Sequence, residues 1–88
     1  MYLTGNVARP GIFPLRSGEK LTAYTAILQN GGFSKFAKLR GIYVLRAVPD
    51  GSKVKLPVDV DLIKKGGRAD VILQSGDIIV VPEKFWSL

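Results

Sequence analysis

One tetrapeptide, Ile78-Ile79-Val80-Val81, limits the fold more than any other stretch. Branching at Cβ favours extended backbone, so this run is a strand rather than a helical turn. It carries no polar residue at alternate positions and so has no solvent face to offer. That predicts burial on both faces, at the centre of a sheet. Ser75-Gly76-Asp77 supplies a turn before it and Pro82 ends it. The remainder of an 88-residue chain must be arranged around that strand, as one small domain. A domain of this size hides only about 60–65% of its unfolded surface, so its stability margin is thin.

Earlier segments supply the neighbours. Tyr2 to Val7 alternates, with Leu3, Gly5 and Val7 on one face and Tyr2, Thr4 and Asn6 on the other. In "GNVARPGIFPL", Pro10 and Gly11 suit the second and third positions of a type II turn. Ile12, Phe13 and Leu15 then make a short second strand, with Pro14 keeping it at an edge. "LTAYTAILQNGG" reads as a helix with Tyr24, Ile27 and Leu28 on one face, and Ala23 and Ala26 permitting close approach. Thr22 is its expected N-cap, Leu21 staples against Ala26, and Gly31 stops it. So short a helix must pack on the sheet to persist. Ser34 to Leu39 is expected to form one further helical turn.

Residues 42–48 form the third strand, apolar on both faces except at Arg46. After a turn at "PDGS", residues 53–59 form the fourth, with Val54, Leu56 and Val58 inward. Lys53, Lys55 and Pro57 face outward and protect a sheet edge. "DVDLIKKGG" is a second, shorter helix with Asp59 or Asp61 at its positive end and Lys64 and Lys65 at its negative end. The fold class predicted is α+β. It is a β-grasp, ubiquitin-like mixed sheet of about five strands, with one main helix packed across it and a second short helix.

Composition excludes several chemistries. The chain lacks cysteine and histidine, which removes disulfides, Cys/His zinc sites and any imidazole-based triad. No apolar run approaches the ~18–20 residues of a membrane span. No phosphate-binding loop is present, and helix capping explains Asp59 and Asp61 better than catalysis does. No catalytic residue, cofactor or metal is therefore expected. The net charge of +6, from 13 Lys+Arg against 7 Asp+Glu, suits nucleic acid, an anionic membrane surface, an acidic glycan or an acidic protein face. Solubility alone also accounts for a charge of that size. The most basic stretch interleaves Lys35, Lys38 and Arg40 with Phe33, Phe36 and Tyr43. Such a mixture can stack bases, but aromatics plugging the core explain it better, and nucleic acid is not expected.

The segments "GNVARPGIFPL", "LTAYTAILQNGGF", "FAKLRGIYVLR" and "ILQSGDIIVVPE" together resemble the soluble ligand-binding β-grasp (SLBB) domain. In particular the chain looks like the form found in bacterial polysaccharide export proteins of the outer-membrane auxiliary family. The resemblance runs from residue 2 to 83 and leaves 84–88 as a C-terminal tail at the boundary of an excised domain. It implies a periplasmic, non-enzymatic module of an outer-membrane-associated chain. Its implied partners are other subunits in a ring, an anionic capsular or extracellular polysaccharide, and an inner-membrane polymerisation or export protein. Arg9, Pro10, Gly11, Lys35, Lys38, Arg40, Tyr43, Arg46 and Trp86 are the candidate glycan or subunit contacts. Aromatic rings would stack on sugars and guanidinium groups would hold carboxylates. The alternative is a stand-alone sugar or small-ligand binding domain.

Overall fold

A computed structural model describes residues 1–16 and 18–84. Its strands are β1 (Tyr2–Gly5), β2 (Gly11–Ile12), β3 (Ile42–Ala47), β4 (Lys53–Val58) and β5 (Ile78–Val81). Its helices are α1 (Ala23–Gln29) and α2 (Val60–Lys64). The five strands form one mixed sheet in the order β2-β1-β5-β3-β4, which puts β5 in the middle. β5 runs parallel to β1 and antiparallel to β3. This is the predicted α+β arrangement, a mixed five-stranded sheet with two helices.

Alternation sends Leu3, Ile79, Val44 and Leu56 to one face, where the register aligns them in a row. Ala23, Ala26 and Ile27 of α1 are fully buried in the same core, with Val60 of α2 and Leu73. The alanines let the helix backbone come close to the sheet. Leu28, expected inward, is 51% exposed. The buried stripe is 23, 26 and 27, one turn of a narrow apolar face, and Leu28 lies beyond its edge.

Thr22 occupies the N-cap position but its side chain caps nothing, its hydroxyl bonding instead to Thr25 Oγ1. The Tyr24 N–H donates to both carboxylate oxygens of Asp70, at 3.3 and 3.2 Å. A charged acceptor from a distant loop thus satisfies the helix start and complements its dipole. α2 follows expectation more closely, because the Asp59 side chain accepts from the Leu62 N–H. The "PDGS" turn also forms locally. The Ser52 hydroxyl and N–H both donate to Asp50 and hold its carboxyl below the usual range.

Three boundaries differ from the sequence reading. β1 ends at Gly5 rather than Val7, because the chain turns there with φ +98°. A Cβ on Gly5 would collide with the Val81 carbonyl oxygen. That same oxygen accepts the Asn6 N–H at 2.8 Å. Gly11 has positive φ as expected, but it already pairs with Leu3 in β2. Residues 6–10 are therefore a longer connection rather than a tight hairpin turn, and β2 is only two residues long. Residues 34–39 form no helix. Their backbone instead runs beside the chain that follows β5, with Ala37 bridged to Glu83.

β5 also departs from prediction in one respect. Ile79 and Val81 are buried, while Ile78 and Val80 are only half-buried. The strand is central, yet only one of its faces is covered. In β4, Val58 is fully buried but Val54 is 39% exposed, since the inner layer does not reach that end of the edge strand.

Gly5→Ala is expected to destabilise the fold by about 3 kcal/mol or more, through positive φ and the collision together. Gly51→Ala, also at positive φ but facing open space, should cost only about 1–2 kcal/mol. Urea midpoints for the two variants at unchanged m-value measure the difference.

Candidate functional site

The segment from Lys35 to Arg40 is anchored on two sides by backbone. The Lys38 N–H donates to the Pro82 carbonyl at 2.9 Å, and the Lys84 N–H donates to the Phe36 carbonyl at 2.6 Å. On its other flank the Val60 N–H, at the start of α2, donates to Leu39. Gly41 turns the chain into β3 where a Cβ would press on Lys38 and Pro82. A stretch with no helix or strand of its own is therefore pinned by main-chain bonds to α2 and to the end of β5.

Between these anchors lies an open groove of about 770 Å³. Lys35, Lys38, Arg40 and Lys84 line it, with Phe36 and Leu39 as its apolar surface. The one acid in the lining is Asp61, brought in by α2. Asp61 takes the Arg40 Nε at 3.0 Å, in an exposed pair with side chains 71% and 36% accessible. Lys35 Nζ stands 5.5 Å from the Phe36 ring centroid. Phe36 is 42% exposed, so it does not plug the core as the sequence suggested. Phe33 and Leu39 do pack against the core, and Phe33 stacks on Tyr24 at 6.2 Å. The arrangement is a flat ring beside several cations and a single carboxylate, which suits a ligand carrying both an apolar face and negative charge.

A model of the SLBB domain matches residues 1–57. The chain belongs to the SLBB domain family. No curated protein matches it. The family is one of ligand-binding modules rather than catalysts. The match to the SLBB model ends within β4. β1, inside the match, pairs along its length with β5, beyond it. The SLBB sheet of this chain thus closes only with residues past the matched span.

The remaining candidate contacts are dispersed. Arg9 and Pro10 are exposed in the β1–β2 connection, where Arg9 lies over Gly31 at the end of α1, and Gly11 belongs to β2. Tyr43 lies on the opposite sheet face from α1, under Lys55, whose Nζ is 4.6 Å from its ring. Trp86 falls outside the described residues.

Arg46 is committed elsewhere. Its Nε and Nη2 donate to the two carboxylate oxygens of Asp77 at 3.1 and 2.9 Å, and Nη2 also donates to the Ile72 carbonyl. Asp77 is 1% exposed and additionally accepts the Gln74 N–H at 2.8 Å. The hydrogen bonds to Asp77 raise the Arg46 pKa further, and they stand first among its perturbations. Its Nε–Nη2 edge is taken by Asp77 and the second Nη2 donor by Ile72, so Arg46 serves the fold. The sequence singled out Arg46 as a polar break in a strand but had no means to name its partner.

Arg46→Met leaves a buried carboxylate unpaired and is expected to cost about 3–5 kcal/mol. Arg40→Ala removes an exposed pair and should cost less than about 1 kcal/mol. Chemical denaturation of both variants tests the assignment, and comparable losses would contradict it.

Proposed function

We propose that this SLBB domain is a non-enzymatic, periplasmic module of a capsular or extracellular polysaccharide export protein. In that setting it forms part of a subunit ring and touches the passing acidic polymer through the groove at 35–40. Family membership supports the export setting, and the observation that carries the reading is the groove's charge. Lys35, Lys38, Arg40 and Lys84 surround one carboxylate beside an exposed phenyl ring. A uronate-bearing chain offers the complement, with CH-rich sugar faces for Phe36 and carboxylates for the cations.

A translocating polymer must be held weakly and released at each step. Exposed cations meet that need, because their attraction is modest and screened by salt within about 8 Å under physiological conditions. Arg9, on the rigid connection before β2, remains the candidate for subunit packing, since it is exposed and lies away from the groove lining.

Titration with oligogalacturonides, followed by amide chemical shifts, tests the groove. Weak, salt-sensitive shifts are expected at residues 35–41 and 61, and neutral malto-oligosaccharides should leave them unchanged. Lys35→Glu with Lys38→Glu should abolish the response, while Arg9→Glu should preserve it. Equal response to acidic and neutral sugars, or shifts confined to other residues, would overturn the reading.

A further inference from the structure

The sheet face turned away from α1 is largely apolar, and among the described residues no helix covers it. The same alternation that buries Leu3 and Ile79 sends Tyr2, Ile78, Val80, Tyr43 and Leu45 to the other side, and β2 adds Ile12. The register aligns Ile12, Tyr2, Ile78 and Leu45 in a row across four strands. Ile12 is 86% exposed and Tyr2 43% exposed, while Ile78, Val80, Tyr43 and Leu45 on the other two strands are half-buried. Three strand spacings of about 4.8 Å make this row roughly 14 Å wide, enough to seat one helix of ~10 Å diameter.

Charge selects among occupants. The charged strand residues on this side are Lys53 and Lys55, both on β4. No strand residue on this side is acidic. A second copy of the domain has little to offer those lysines. The chain holds 7 acidic residues. Asp59 and Asp70 cap helices, Asp50 closes a turn, and Asp61 and Asp77 are paired with arginines. Glu19 and Glu83 remain, far apart in sequence. Two such faces stacked together would press cations onto apolar surface without partners, which costs desolvation energy.

We propose that this outer face docks an amphipathic helical protein segment, apolar along its centre and acidic along the edge above β4, supplied from outside this domain. The segment adds the missing layer over β5, and its carboxylates take Lys53 and Lys55. This surface is separate from the 35–40 groove, so the proposal stands whether or not that groove binds polymer.

The probe is a synthetic amphipathic helical peptide with leucines on one face and glutamates flanking them, titrated into the labelled 88-residue chain. Amide shifts are expected at Tyr2, Tyr43, Leu45, Ile78 and Val80, with the 35–41 segment unmoved. A peptide with lysines replacing the glutamates should not bind. Lys53→Glu with Lys55→Glu, both on the exposed edge strand, should reverse that preference while leaving the urea midpoint nearly unchanged. Shifts elsewhere, or indifference to peptide charge, would overturn the proposal. So would a concentration-dependent dimer in sedimentation that Leu45→Glu abolishes, or binding through this face to phosphatidylglycerol-containing vesicles but not to the peptide.

Discussion

The buried pair between Arg46 and Asp77 sets the register on which everything else in this sheet depends. β5 needs such a device because its own sequence cannot supply one. In a strand that alternates apolar and polar residues, a slip of one position would expose the apolar set, and that cost fixes the register. Here a slip would exchange Ile79 and Val81 for Ile78 and Val80, one β-branched pair for another. Asp77 resolves the ambiguity. Its carboxylate takes Arg46 from β3 and the Gln74 N–H, and its carbonyl takes the Tyr2 N–H of β1 at 3.0 Å. The start of β5 is thereby referenced to both neighbours at once. A buried ion pair is a weak source of net stability, and its best-attested use is to specify one arrangement over near-equivalents. Gly5 completes the restraint at the other end of β5, because only a residue without Cβ lets β1 turn against the Val81 carbonyl.

How far the sequence could be read follows from the range of each signal. The position of β5, the start of α2 at Asp59, the glycine exit of α1 and the lysine-guarded edge at β4 all rest on local chemistry, and all are found. The failures are long-range. Thr22 is a sound local cap, but Asp70 outcompetes it from a loop far along the chain. Residues 34–39 have no local reason to depart from a helical turn. They close two single turns, Ser34 to Ala37 and Lys38 to Gly41, rather than a helix, because Pro82 and Lys84 take their other backbone groups. Lys35, Lys38 and Arg40 were legible as a cluster, whereas Asp61 and Lys84 join them only through the fold. The half-covered state of β5 could not be read from its residues, since an apolar run does not say which of its faces the rest of the domain covers.

That last point joins the two surfaces. The groove lies where the 35–40 segment meets α2 and the end of β5, and the apolar face lies on the sheet side opposite α1. Neither needs the other's residues, so polymer and protein partner can be held together. If the proposed export setting holds, the two surfaces would divide the work, one staying wet and reversible while apolar contact closes the other.

The distribution of carboxylates makes the division possible. Most of the acids are spent inside the domain, on two helix starts, one turn and two arginines. Each of these bonds satisfies a backbone, hydroxyl or guanidinium donor, and among these acids Asp77 is the one withdrawn from the surface by burial. The groove sets one acid, Asp61, among its lysines and Arg40, and the outer side of β4 sets none beside Lys53 and Lys55. A chain needing charge only for solubility could scatter its acids among its lysines, as mixed surfaces do. Here the internal bonds that hold the sheet in register also leave the groove and the β4 edge cationic, and those two places are where an anionic polymer and an acidic helix would be received.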